Sequence, residues 1–160
     1  MTYSRSKIAG IVALVLRVVL GAVFVYAGYL KLRDPWALFA MNIASYEVLP
    51  MPAVEFVAKT LPWFEVVLGL VLIAGVFRRI ATVSAAALLM VFFGLIVRAY
   101  FKGMEINCGC FGPGEAISWK TMLRDGSMVA GALFVAVMSF VQRRKPAPAG
   151  EAIPEPAYRA

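Results

Sequence analysis

Residues 8–30 read IAGIVALVLRVVLGAVFVYAGYL, an apolar run broken by a single charge, Arg17, near its middle. As a helix it rises about 34 Å, at about 1.5 Å per residue, enough to cross a hydrocarbon core of roughly 30 Å. A cleaved signal peptide carries a shorter apolar region of about 7–15 residues, so this run reads as a retained transmembrane helix. Working outward, the same reading recurs three times. A second span ends at about Phe77 and begins either at Ala53, with a kink at Pro62, or at Leu61 just before that proline. After a tight turn at Arg78-Arg79, a third span covers about Ile80 to Phe101, and a fourth runs from a Ser118 cap to about Val141, with Trp119 at the interfacial position. Between the first two spans, Asp34 suits an N-cap and Pro35 the first helical position. Trp36, Phe39, Ala40 and Ile43 then recur at helical spacing, which predicts a short helix in the membrane interface.

Composition requires a lipid environment. Hydrophobic residues make up 62% of the 160 positions, against roughly 45–50% in soluble proteins. Charged residues make up only 16%, and mean hydropathy is +0.82. Too few polar side chains are present to cover the apolar surface, so the expected fold is an all-α, integral membrane four-helix bundle with a short interfacial helix between spans one and two. Residues 1–145 form the transmembrane domain in this reading, and the Pro- and Ala-rich stretch 146–160 a disordered tail.

The net charge of +7 does not indicate nucleic acid. Arg5, Lys7, Arg78, Arg79, Arg143, Arg144 and Lys145 flank apolar runs, and no basic stripe interleaved with aromatics is present. Their density near span ends favours both termini in the cytoplasm, which sends the 102–118 segment to the opposite, periplasmic side of a bacterial inner membrane.

That segment contains the chain's only cysteines, in Cys108-Gly109-Cys110. No histidine is present, which removes imidazole base catalysis, Cys-His nucleophiles and His-ligated metal. Two thiols one residue apart can cycle between dithiol and disulfide, hold a soft metal such as Cu(I) (with Met104 as a further thioether), or fill space without chemistry. An extended Cys-X-Cys disulfide is strained, and Gly109 relaxes the strain by admitting backbone angles that fold the sulfurs together. Exposed, strained disulfides are the labile, catalytic kind.

Four further charges fall near the same end of the spans: Glu65, Arg98, Arg124 and Asp125. Each is costly in lipid and is expected to face the bundle interior. They form either a salt-bridge network, with Glu65 paired to an arginine, or a polar pocket that moves protons or binds a cofactor head group. Arg17 lies apart from them and fits neither reading.

Over about residues 10–141 the chain resembles the MauE/DoxX family of redox-associated membrane proteins, and more closely the MauE branch. The resemblance rests on Gly28-Tyr-Leu-Lys-Leu-Arg-Asp-Pro35, Leu61-Pro-Trp-Phe-Glu65 with Gly69, Cys108-Gly-Cys-Phe-Gly112, Ser118-Trp119 and Leu123-Arg-Asp125. It implies a four-helix bundle in a bacterial cytoplasmic membrane and a part in redox maturation, since MauE is linked to disulfide formation in the small subunit of methylamine dehydrogenase. The bundle is also similar to those of DsbB and vitamin K epoxide reductase, which pass electrons from thiols to a quinone. Those enzymes carry Cys-X-X-Cys, commonly with a second thiol pair, whereas this chain has one Cys-X-Cys, which points to an external thiol partner. The resulting expectation is a thiol–disulfide redox protein. Cys108 and Cys110 exchange with a periplasmic thioredoxin-like or substrate thiol protein, a quinone acts as membrane carrier, and Glu65, Arg98, Arg124 and Asp125 orient the carrier or handle protons. The alternative is a non-enzymatic soft-metal carrier or assembly factor using the same two thiolates.

Overall fold

The computed structural model describes residues 2–104, 106 and 117–141. Among these the regular structure is entirely helical: α1 Thr2–Arg33, α2 Trp36–Ala44, α3 Met51–Ala74, α4 Arg78–Phe101 and α5 Trp119–Val141. Four of them are long and apolar enough to span a bilayer: Ile8–Arg33 within α1, and α3, α4 and α5. The chain is a multi-pass membrane protein with a four-helix bundle. Val15, Val67, Leu70, Val91 and Val137 are each more than half exposed, and lipid is the solvent that accepts such a surface. Residues 142–160, which include the expected tail, lie outside the described residues.

The helices form an antiparallel ring in which α1 lies beside α3 and α5, and α4 beside α3 and α5. One end of the bundle carries the C-termini of α1 and α4 and the starts of α3 and α5, and is called here the loop end. The other carries the α3–α4 turn. Between lipid-soluble helices, burial from water gives no drive to associate, so close backbone approach must supply it. The α1–α3 seam does so through glycine. A Cβ on Gly21 would lie 2.8 Å from the Gly69 carbonyl oxygen, one on Gly69 would lie 2.6 Å from that of Gly21, and one on Gly28 would lie 2.7 Å from that of Pro62. On the other side of the core, Ala81, Ala85 and Ala86 of α4 and Ala132 and Ala136 of α5 are buried with Leu20, Phe24, Leu68 and Leu72.

Several boundaries differ from the sequence expectation. The second span takes its longer form and starts two residues before Ala53, with Pro50 at the N-cap and Pro62 inside the helix. Arg78 and Arg79 form the first turn of α4 instead of a connecting turn. The reversal is made by Gly75 and Phe77, both left-handed at φ 73° and 48°. Asp34 does not cap α2: Pro35 occupies the N-cap position and no side-chain cap bond forms. Ser118 does cap α5, its Oγ accepting the Thr121 N–H at 3.4 Å.

Because α1 stops at Arg33 while α3 begins at Met51, the first turns of α3 extend past the end of α1. There they pack against α2, where Lys59 stacks on the Trp36 ring at 4.3 Å. Glu65, about 21 Å along α3 at about 1.5 Å per residue, therefore meets the last turn of α1.

Candidate functional site

On α1 the buried positions Leu20, Phe24, Ala27 and Lys31 follow one another at intervals of four, three and four. This is a single inward stripe, and its last member is a lysine. Lys31 donates from Nζ to both carboxylate oxygens of Glu65, at 3.1 Å to Oε1 and 2.9 Å to Oε2. Each residue is only 5% exposed, so this ion pair is dry. The ammonium also lies 5.4 Å from the centre of the Phe39 ring, contributed by α2. Glu65 was expected to pair with an arginine. Its partner is Lys31, near the end of α1.

The pair lies at one side of a small cavity of about 50 Å³. Asp125 of α5, 6% exposed, reaches the same cavity, and the remaining wall is apolar, with Phe24, Phe92, Phe93 and Ile96 prominent. Three titratable side chains thus converge in an aromatic enclosure at the level of the last turn of α1 and the second turn of α5. By the measure in which one water needs about 10–15 Å³, the cavity holds a few waters or the polar edge of a larger molecule. Lys31 can donate there, and Glu65 and Asp125 can accept or release a proton.

The two arginines singled out from the sequence do not line this cavity. Arg98 is exposed, and its Nη1 donates to the Tyr46 carbonyl at 2.9 Å, tying the end of α4 to the linker after α2. Arg124 is half-buried and donates from Nε to Asp125 Oδ1 at 2.9 Å. It therefore acts on the cavity through Asp125, whose carboxylate it holds in place.

Cys108 and Cys110 lie outside the described residues. The segment that carries them leaves α4 and re-enters α5 at the loop end, and its flanks are joined by a bond from the Ile117 N–H to the Ile106 carbonyl at 3.2 Å. No group of three or more Cys, Asp or Glu suited to a metal ion occurs among the described residues.

Comparison with known proteins gives a consistent result. The family model for methylamine utilisation protein MauE matches residues 9–138. The chain is 35% identical over 124 residues to methylamine utilization protein MauE of Paracoccus denitrificans, covering 76% of this chain and 66% of that one. It is 33% identical over 100 residues to the protein of the same name from Methylophilus methylotrophus, covering 60% of this chain and 53% of that one. The chain thus spans just under two-thirds, and about half, of the lengths of these curated relatives. No solved structure matches it.

Proposed function

The chain belongs to the MauE family, and we propose that it is a membrane thiol–disulfide redox protein serving the maturation of a periplasmic protein of methylamine utilisation. Cys108 and Cys110 exchange with a thioredoxin-like or substrate thiol protein, and a membrane quinone is the electron carrier. In the oxidising direction the two thiols give up two electrons and two protons to become a disulfide, and the quinone takes both to become a hydroquinone.

The observation that carries this reading is the dry cluster of Lys31, Glu65 and Asp125 inside an aromatic cavity, at the end of the bundle from which the cysteine segment emerges. Buried ionisable groups in a membrane span are costly and mark functional pathways. This set has what a quinone reduction needs: a cationic donor for a carbonyl oxygen and two carboxyl groups to pass protons. The cavity admits the carbonyl edge of a ring, and the aromatic wall suits its faces. Arg124 and Arg98 serve as positioning residues, Arg124 through Asp125 and Arg98 through the linker after α2.

Thiol trapping tests the proposal. Maleimide labelling before and after reduction should differ by two labels per chain, and Cys110→Ser or Cys108→Ser should accumulate a mixed disulfide with the partner. Thiols that stay reduced under oxidising conditions, together with a fully active double serine variant, would show the assignment to be wrong. A copper signal lost in that double variant would move the thiolates to soft-metal handling.

A further inference from the structure

At the opposite end of the bundle Arg17 is level with the α3–α4 turn. Its guanidinium lies against Gly75, close enough that a Cβ there would stand 2.8 Å from Nη1 and 2.9 Å from Nη2. Arg17 shares a cleft of about 50 Å³ with Arg78 and Thr82 of α4 and Ser139 of α5. Among the described residues, every charge lining this cleft is positive. Arg78 and Arg79 open α4, whose first turn has no acidic residue and whose N-cap, Phe77, supplies no side-chain bond. The positive end of the helix dipole therefore adds to the arginines. No Asp or Glu occurs in residues 1–33, 66–104 or 126–150.

The cleft's hydroxyls do not answer this charge. Thr82 Oγ1 donates to the Arg78 carbonyl at 2.7 Å, and Ser139 Oγ to the Ala136 carbonyl at 2.6 Å. Arg17 Nε is buried with no hydrogen-bond partner among the described residues, and a buried donor in that state calls for an acceptor.

We propose that Arg17, Arg78 and the N-terminus of α4 form a binding site for the phosphate of an anionic phospholipid in the leaflet at the α3–α4 turn. The cleft volume, worth roughly three to five waters at about 10–15 Å³ each, suits a phosphate group. The exposed Leu14 on its rim and the exposed Ile80 and Phe77 beside Arg78 and Arg79 place acyl chains, rather than water, next to the anion. A basic pocket between spans at headgroup level is the arrangement that recognises an anionic lipid. The site is independent of the thiol chemistry and of which side of the membrane it faces.

The test uses the full chain purified in neutral detergent and titrated with phosphatidylglycerol, phosphatidylcholine or inorganic phosphate, with bound lipid read by native mass spectrometry and stability by thermal unfolding. Phosphatidylglycerol should bind saturably and raise the unfolding temperature, and the other two should not. Arg17→Gln and Arg78→Gln should each weaken phosphatidylglycerol binding about fivefold, the value expected for one arginine at a lipid surface, while Lys102→Gln at the loop end should leave it unchanged. Arg78 is exposed, so its variant carries the test if Arg17→Gln does not fold. Equal binding of phosphatidylcholine, saturation by inorganic phosphate alone, or unchanged phosphatidylglycerol affinity in Arg78→Gln would each overturn the proposal.

Discussion

Removing one member of the Lys31–Glu65 pair should be far more damaging than removing both. Lys31 Nζ reaches both carboxylate oxygens within 3.1 Å, and both side chains are essentially dry at 2% and 6% exposure. In Glu65→Gln or Lys31→Met the surviving charge is left buried without its counter-ion, which costs on the order of 3–5 kcal/mol. An ordinary interhelical hydrogen bond in a membrane protein averages only about 0.6 kcal/mol, so the two magnitudes are well separated. The double variant Lys31→Met/Glu65→Leu removes both charges while keeping similar volume and should fall within about 1 kcal/mol of the parent. Chemical unfolding in mixed micelles measures all three. Single variants that lose less than about 1 kcal/mol would mean that the pair is solvated, and the dry-cluster reasoning would fail. The double variant also separates stability from function: it should fold normally and lose quinone-dependent activity.

Other outcomes follow from specific contacts. Gly28→Ala places a methyl 2.7 Å from the Pro62 carbonyl oxygen, so the α1–α3 seam must open, at a cost of about 1–3 kcal/mol in the same unfolding assay. Ser118→Ala removes the cap that accepts the Thr121 N–H and should cost about 1 kcal/mol. In a cysteine-free background, Phe77→Cys, at the exposed α3–α4 turn, should resist an impermeant maleimide in intact cells, while Gly103→Cys should react. The reverse pattern would invert the proposed orientation.

The spans were legible because each rests on a long apolar run, a signal that depends on local sequence alone. Pro62 left the start of the second span open, since a proline both begins helices and kinks them. The helix continues through it, with Pro62 buried where Gly28 of α1 comes close to its carbonyl, a contact invisible in either segment alone. Glu65 and Asp125 were singled out correctly as inward-facing charges. Lys31 was not, because its place near the end of α1 resembles a topology determinant. The stripe Leu20, Phe24, Ala27, Lys31 was the available signal, and extending the helix three residues beyond Leu30 would have exposed it. Arg17 appeared central within its apolar run, but the depth of a residue depends on where the neighbouring helices turn, and α3 ends beside it. Arg98 and Arg124 share the level of the cavity, yet their positions around the helix turn them away from it. Depth along a span does not fix the angle around the helix, and that angle decides which partners a side chain meets.

In the proposed function, electrons pass between the Cys108/Cys110 pair and a quinone at the Lys31–Glu65–Asp125 cavity. The most direct measurement follows thiols and quinone together, using the reduced full chain in proteoliposomes under anaerobic conditions with an oxidised benzoquinone analogue added. Two maleimide-reactive thiols per chain should be lost and one hydroquinone formed for each disulfide, both abolished in Lys31→Met/Glu65→Leu although that variant remains folded. Thiols that persist while quinone stays oxidised, or thiol oxidation that proceeds equally well in the double variant, would contradict it.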